Sequence, residues 1–109
     1  MGIKGNYIGE WRIIEMSEWD QDFVDLVVPG HITIKENSMG QFQFGAVEAE
    51  IDWRIEMIGE EERLAFSFEG SDEGDIVSGR GWAEVNGGTM NGWFCFHLGD
   101  DSTFKAEKK

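Results

Sequence analysis

The chain has 109 residues, of which 22 are acidic and 9 basic, so its formal net charge is −13 at pH 7. This charge argues against nucleic-acid binding by phosphate neutralisation and against docking on anionic lipid, because both need a basic surface. A hydrophobic share of 40% is too high for a disordered acidic tail. The length fits a single domain spanning residues 1–109.

The sequence also bears on the compartment. Cys95 is the only cysteine, so no intrachain disulfide can form. No apolar run approaches the 18 or so residues of a membrane span, and no apolar segment of signal-peptide length follows a basic start. We therefore expect a cytoplasmic protein without a membrane segment.

The dominant pattern along the chain is an alternation of apolar and polar side chains. Ile51, Trp53 and Ile55 alternate with Asp52 and Arg54. Successive side chains of a strand point to opposite faces, so this pattern is typical of half-buried strands. It predicts strands at about residues 7–15, 31–36, 40–48, 49–57, 63–69, 76–85, 89–97 and 102–107. The junction near residues 48–49 lacks a turn signal, which leaves seven or eight strands.

One segment, residues 17–28, departs from this alternation. Trp19, Phe23 and Leu26 recur at helical spacing, as does Val27, and Ser17 is a candidate N-cap. Pro29 would end such a helix. We therefore predict one short helix over about 17–28, directly after the first strand.

Consecutive strands joined by short turns favour an antiparallel meander, and closing the meander removes its exposed edges. The predicted fold class is an all-β, seven- or eight-stranded up-and-down barrel with one short helix; a two-sheet sandwich is the alternative. Trp19 and Phe23 would plug one end. The side chains expected inside are Trp11, Ile13, Ile32, Ile34, Phe42, Phe44, Ile51, Trp53, Ile55, Leu64, Phe66, Phe68, Phe94, Phe96 and Phe104.

Gly9-Glu10-Trp11 on the first strand resembles the Gly-x-Trp signature of lipocalins and the wider calycin group. The resemblance implies a barrel whose end is closed by Trp11, with a basic residue of the last strand packed over it. Lys105 is the candidate for that residue. The early helix is similar to that of the intracellular fatty-acid-binding branch. The runs WDQDF, GRGW and FHLGDDS resemble those of small uncharacterised bacterial proteins, and this resemblance implies no activity.

A barrel of this kind can hold a small apolar ligand or can be filled by its own side chains. The candidate lining residues are Trp11, Phe44, Trp53 and Phe66, joined by Arg80 as an anion contact near the barrel mouth. Many inward aromatic rings favour a filled core. Arg80 has an alternative reading, an outward position paired with a surface acid. The glycines at 79 and 81 suggest close packing of a neighbour or a bulge.

Trp82 and Trp93 fall on the outward side of their strands, and Cys95 lies beside Trp93. Exposed aromatic residues often mark a partner surface, so a homodimer burying both tryptophans is one expectation. The rival expectation is that the helix covers these two strands.

Two polar clusters resemble chemical sites only in residue type. Asp72, Glu73 and Asp75 are carboxylates in one loop, but their spacing does not match a Ca²⁺-binding loop, and a solvated turn is favoured. His97 precedes Asp100 and Asp101, yet no motif of a nucleophile or zinc site surrounds it. No catalytic residue, metal or cofactor is predicted.

The function expected from these patterns is a non-enzymatic, calycin-like binding module for a small apolar ligand or a protein partner. The alternative uses the charge: an acidic protein that mimics nucleic acid, or an inhibitor, and binds a basic partner. An enzyme is the least favoured reading, because no buried carboxylate can be identified from the alternation.

Overall fold

The computed structural model describes residues 6–109, which form a closed barrel of eight antiparallel strands joined in chain order. The predicted barrel is confirmed, and the sandwich alternative is wrong. The elements are β1 (Gly9–Met16), α1 (Gln21–Val24), β2 (His31–Ile34), β3 (Met39–Phe44), β4 (Val47–Ile58), β5 (Glu61–Asp72), β6 (Asp75–Asn86), β7 (Thr89–Phe96) and β8 (Asp101–Lys108).

Pairing of the first and last strands closes the barrel. Ile13 lies opposite Ala106, and Met16 lies opposite Phe104. The register shifts between Ile13 and Glu15, so β1 carries an irregularity of the β-bulge type. Closure gives every strand two neighbours, which removes the open edges that a meander would expose.

The strand count is decided by the turn between β3 and β4, which the sequence analysis did not identify. β3 and β4 form a tight hairpin in which Phe44 pairs with Val47 across the two-residue turn Gly45-Ala46. Gly45 has a φ of +55°, a conformation that glycine adopts without steric cost. The count is therefore eight, and the turn lies three residues before the junction expected near 48–49.

The alternation of side chains correctly assigns the barrel interior. Of the fifteen expected inner residues, thirteen are buried, while Ile55 and Phe96 are partly buried and pack against the core. The aromatic rings of β3, β5, β7 and β8 interlock, with Phe94 within 6.3 Å, centroid to centroid, of Phe42, Phe44, Phe68, Phe96 and Phe104. Such a core has the dense packing expected of a protein interior.

Inward-facing glycines make room for these rings. A Cβ at Gly79 would lie 2.6 Å from the Phe68 ring, and one at Gly81 would lie 2.7 Å from the Phe66 ring. The same holds for Gly92 beneath Phe104. The glycines around Arg80 therefore mark close packing of neighbours rather than a bulge.

The helix is much shorter than predicted. α1 is a single turn that begins after Asp20, whose carboxylate accepts a hydrogen bond of 3.0 Å from the Phe23 backbone N–H. Ser17 is not the cap; its hydroxyl accepts from the Thr103 backbone N–H at 2.9 Å. Leu26 and Val27 are exposed, because the chain leaves the helix at Asp25.

Trp19 and Phe23 nonetheless close one end of the barrel as expected. The Trp19 ring lies 5.0 Å from Phe44 and stacks on Phe94 at 6.2 Å. Phe23 covers Gly45 in the β3–β4 turn. Within residues 6–109, no helix has the length and apolar character needed to cross a membrane.

Candidate functional site

The barrel interior holds almost no free space. Its cavity measures about 20 Å³, has no polar lining atom, and includes Phe44 and Phe66 in its wall. Trp11 and Trp53, the other two expected lining aromatics, are buried but do not line it. Ligand pockets usually measure about 300–1,000 Å³, so this space is an order of magnitude smaller.

Arg80 lies outside the barrel and not in its lining. Its neighbours Gly79 and Gly81 face inward, so the alternation of the strand turns Arg80 to solvent. There its guanidinium lies 3.6 Å from Cys95 Sγ and 5.9 Å from the centre of the Trp93 ring. The outward alternative is the correct position, although its contacts are a thiol and a ring rather than an acid.

Trp82 and Trp93 form a directly opposed pair on the outside of β6 and β7. Both are partly exposed. The Arg63 guanidinium lies 5.0 Å from the Trp82 ring centre and is itself held by Glu56 at 2.9 Å. Trp93 donates a hydrogen bond of 2.8 Å from Nε1 to Asp101. Trp82 is therefore held by Arg63, and Trp93 is held by Asp101 with Arg80 nearby.

The helix does not cover this pair. α1 instead packs against β1 and the β3–β4 turn, where the Gly45 backbone N–H donates to the Val24 carbonyl at 2.9 Å. The expectation that the helix shields β6 and β7 is wrong. The outer side of these strands is open to solvent among the described residues.

Strand register places three rows of side chains on this outer side, which we call the tryptophan face. The central row holds Arg54, Ala65, Trp82, Trp93 and Thr103. One flanking row holds Asp52, Ser67, Arg80, Cys95 and Asp101. The other includes Glu84, Asn91, Lys105 and Glu15, with Glu56 and Arg63 beside it.

Two open grooves border the central row of the tryptophan face. The groove beside Arg80 and Cys95 has a volume of about 390 Å³ and includes His97 and Ser78. The groove between Trp82 and Lys105 has a volume of about 240 Å³. Each groove holds one base and one acid, Arg80 with Glu69 in the first and Lys105 with Glu15 in the second.

A second surface, on β2–β5, is acidic. Glu50 of β4 lies directly opposite Glu69 of β5, with Glu48 and Asp52 on the same outer side of β4. Like charges directly opposite each other on a sheet are destabilising. An open groove of about 470 Å³ runs over Glu48, Glu50 and Glu69 and reaches His31. We call this surface the acidic face.

An ion pair that sequence reasoning missed fixes the helical segment to the barrel. Two guanidinium nitrogens of Arg12 bind the two carboxylate oxygens of Asp25 at 2.7 and 2.9 Å. Asp25 also accepts from the Gly30 backbone N–H at 2.8 Å. The hydrogen bond from Arg12 lowers the pKa of Asp25 below its ordinary value, and the same bond raises that of Arg12. The outward turn of Arg12 was foreseeable from alternation, but its partner lies in a loop without a period.

The other barrel end is closed by Trp11, which donates from Nε1 to the Tyr7 carbonyl at 2.9 Å. A lysine of the last strand lies over its ring, as the calycin resemblance implies, but it is Lys108 rather than Lys105. Lys108 Nζ is 4.8 Å from the ring centre and also donates to the Ile8 carbonyl. Lys105 follows the inward Phe104 and so faces out, whereas Lys108 shares the inward parity of Phe104 and Ala106. That parity was readable from the sequence.

The remaining polar candidates stay apart. Asp72 and Asp75 pair across the β5–β6 turn, whose centre is Glu73-Gly74. His97 donates its backbone N–H to the Ser78 carbonyl at 2.7 Å. Within residues 6–109, no group of three or more His, Cys, Asp or Glu side chains is arranged to hold a metal ion.

Ser102, near the start of β8, has a structural role. It is buried, and its hydroxyl accepts from the Glu18 backbone N–H at 3.1 Å and lies 3.3 Å from the Ser17 hydroxyl. It therefore ties the segment after β1 to β8. No sequence signal links positions 85 residues apart, so this contact could not be anticipated.

Comparison with known proteins identifies no family for this chain. No protein-family model, no curated protein and no solved structure matches the chain. The class defined by the structure is therefore an antiparallel eight-stranded barrel with a filled interior, and its function has to be argued from its surfaces.

Proposed function

We propose that this chain is a non-catalytic, calycin-like binding module of the cytoplasm that recognises a protein partner through its tryptophan face. The observation that carries the proposal is the opposed pair Trp82 and Trp93, partly exposed and fixed by Arg63 and Asp101. Tryptophan and arginine are enriched among the residues that dominate binding energy at protein interfaces.

Rigid placement of the rings supports this proposal. A side chain that is already ordered before binding loses less conformational entropy when the partner arrives. Nε1 of Trp93 is engaged, but Nε1 of Trp82 has no hydrogen-bond acceptor within the described part of the chain. Trp82 therefore offers a ring face, partly covered by Arg63, and one free donor to a partner.

The tight packing of the barrel interior favours a protein partner over a small ligand as the molecule that is bound. A cavity of about 20 Å³ has room for no more than a water-sized molecule. An apolar ligand would have to displace interlocked phenylalanine rings. The calycin-like barrel then serves as a rigid scaffold for a binding surface. The proposed cytoplasmic location is supported by Cys95, a single partly exposed cysteine that fits a reducing compartment.

The experiment compares the wild type with the double variant Trp82→Ala/Trp93→Ala. The matched control, Ile76→Ala/Leu98→Ala, also removes two exposed apolar side chains but from the β5–β6 and β7–β8 ends of the barrel. Native mass spectrometry of the purified proteins reads out the oligomeric state and any co-purified molecule. A protein that co-purifies is isolated, and calorimetry then measures its affinity for the wild type and for each variant.

We expect a stoichiometric protein complex, either with a second copy or with another chain, that the tryptophan variant weakens at least tenfold and the control leaves unchanged. A complex that survives in the tryptophan variant would place the interface elsewhere. A small apolar molecule co-purifying with the monomer at equal stoichiometry would overturn the proposal in favour of ligand carriage.

A second candidate function rests on the acidic face. The opposition of Glu50 and Glu69 costs stability, which favours a role for these carboxylates in binding a basic protein as a nucleic-acid mimic would. The variant Glu50→Gln/Glu69→Gln should raise the stability of the fold and weaken binding of an oligolysine probe at low salt. Unchanged probe binding, or binding insensitive to salt, would reject this candidate.

A further inference from the structure

We propose that one end of the barrel docks a basic amphipathic helix of a further partner protein. This end, which we call the helix end, is formed by the chain connections at residues 17–30, 45–46, 73–74 and 97–100. The inference goes beyond the proposed function, because the helix end is a different surface from the tryptophan face. It combines exposed apolar side chains with an acidic rim.

The first observation is the position of the exposed apolar side chains. Among the described residues, the four large hydrophobic side chains with the highest exposure are Leu98, Ile76, Leu26 and Val27. Leu26, Val27 and Leu98 lie in the connections of the helix end, and Ile76 is the second residue of β6, directly after the connection 73–74. Single exposed hydrophobic residues are normal on a protein surface, but a group of them at one place marks a binding surface.

Leu98 illustrates why folding alone does not account for this group. Its side chain is 94% exposed and so contributes almost nothing to packing. Its φ is +57°, in the left-handed region that a leucine adopts only at an energetic cost. A leucine that neither packs nor suits its backbone conformation is accounted for by contact with another molecule.

The second observation is a strip of rings that joins the exposed side chains. Trp19 lies 6.1 Å from Phe23 and 6.3 Å from Phe96, centroid to centroid, and all three residues are partly exposed. Leu26 adjoins Phe23, to whose carbonyl it donates its backbone N–H at 3.1 Å. Leu98 follows Phe96 by two residues. An apolar strip therefore crosses the helix end from Leu26 to Leu98.

The third observation is the charge beside this strip. Residues 17–30, 72–75 and 97–101 contain no lysine or arginine. The guanidinium of Arg12 reaches this end from β1, but its charge is balanced by Asp25. The acids of these segments are Glu18, Asp20, Asp22, Asp25, Asp72, Glu73, Asp75, Asp100 and Asp101.

An apolar strip with an acidic rim is complementary to a basic amphipathic helix. Steps of about 6 Å between the rings are close to the 5.4 Å pitch of an α-helix, so side chains from successive turns can rest on successive rings. Lysines or arginines beside that apolar face would meet the acids. A second copy of this chain would bring acids against acids, and anionic lipid would be repelled.

The probe is a capped fourteen-residue peptide with leucine at its fourth, eighth and eleventh positions, lysines flanking the leucine face and alanine elsewhere. One comparison peptide replaces the lysines by glutamate, and another replaces the leucines by serine. Binding is followed by the indole N–H resonances in nitrogen-15 NMR spectra. Trp19 is expected to shift among the five tryptophans, whereas Trp82 and Trp93 stay in place. Neither comparison peptide should bind measurably.

One pair of protein variants tests the apolar strip. Leu26→Ser/Leu98→Ser should weaken the lysine–leucine peptide at least tenfold, and both side chains are exposed, so the fold is retained. Met57→Ser/Ile58→Ser removes two exposed apolar side chains at the opposite end of the barrel and should change the affinity less than twofold.

A second pair of variants tests the acidic rim. Glu73→Gln/Asp100→Asn should weaken the peptide at least threefold, and the effect should diminish as salt is added. Glu36→Gln/Glu60→Gln removes the same charge from the opposite end and should change the affinity less than twofold. Equal weakening by the two members of either pair, or equal binding of the glutamate peptide, would overturn the inference.

The remaining outcomes assign the helix end to another occupant and would also overturn the inference. These are a Trp19 shift produced by phosphatidylcholine vesicles but not by the peptide, and a homodimer that Leu26→Ser/Leu98→Ser dissociates. Failure here is distinguishable from failure of the proposed function. A complex lost only in Trp82→Ala/Trp93→Ala supports the tryptophan face alone, and a peptide complex that this variant leaves intact supports the helix end alone.

Discussion

Arg12 and Asp25 are joined by two parallel hydrogen bonds of 2.7 and 2.9 Å that connect β1 to the segment following α1. The pair also orders the chain around it, since Arg12 donates to the Ile13 carbonyl at 2.8 Å and Asp25 accepts from Gly30. Together with the hydrogen bond from Gly45 to the Val24 carbonyl, this pair holds the helical segment on the barrel, with Trp19 and Phe23 over the barrel end.

Removing the pair should destabilise the fold. We expect Asp25→Asn to lower the free energy of unfolding by about 1–2 kcal/mol, a modest value because both side chains are about a third exposed. Urea unfolding at pH 7 measures the change. Asp22→Asn is the control, since Asp22 is a neighbouring acid on α1 whose side chain makes no ion pair within residues 6–109, and it should change the stability by less than about 0.5 kcal/mol.

The same pair predicts a pH dependence. The pKa of Asp25 is lowered in the folded state, so its contribution is fully present above the unfolded value near 3.9 and is lost as the pH falls below it. The stability difference between wild type and Asp25→Asn should therefore shrink between about pH 4 and pH 2. A difference that stays constant across this range would contradict the assigned pKa shift.

The lysine over Trp11 offers a matched test of barrel closure. Lys108→Ala should lower the free energy of unfolding by about 1 kcal/mol and shift the tryptophan fluorescence, because it removes a cation–π contact and a backbone hydrogen bond. Lys105→Ala removes the same charge from the outer side of β8 and should be neutral within about 0.5 kcal/mol. Equal effects of the two variants would mean that only net charge matters.

The glycines beneath the aromatic core should not tolerate a methyl group. A Cβ at Gly79 would lie 1.9 Å from the Cys95 carbonyl oxygen and 2.6 Å from the Phe68 ring. We expect Gly79→Ala to destabilise the fold by about 2–3 kcal/mol through overpacking. Gly88→Ala, at a β6–β7 turn position with nothing within 4 Å, is the control for thermal unfolding and should have little effect. A tolerated Gly79→Ala would show that β6 can move away from β7.

Tyr7 gives a spectroscopic check on the packing at the closed end, because it is the only tyrosine. It is 2% exposed, and burial raises the pKa of its hydroxyl. The absorbance titration near 295 nm should therefore have its midpoint above the ordinary value of about 10, and should return to about 10 in denaturant. A raised pKa also means that stability is retained below pH 10 and lost as the pH rises through the folded value.

Much of the barrel was predictable because strand alternation is a local property. Ile51, Trp53 and Leu64 were assigned to the interior from parity alone, and parity also turned Trp82 and Trp93 outward. The prediction of the helix length failed because it depends on a contact with a distant strand. The helix was overestimated because Asp20 rather than Ser17 caps it, and Ser17 is drawn away by Thr103 on the last strand.

The sequence by itself determined the fold class, the inward and outward sides of each strand, and the strong negative charge, because these follow from side-chain order and composition. Only the tertiary structure decided that the interior is filled, since the fit of Phe66 and Phe68 over Gly81 and Gly79 depends on the register of neighbouring strands. It also decided which charges meet: Arg12 with Asp25, and Arg80 with Trp93. Such contacts join residues that are distant in the chain, and barrel closure is what brings them together.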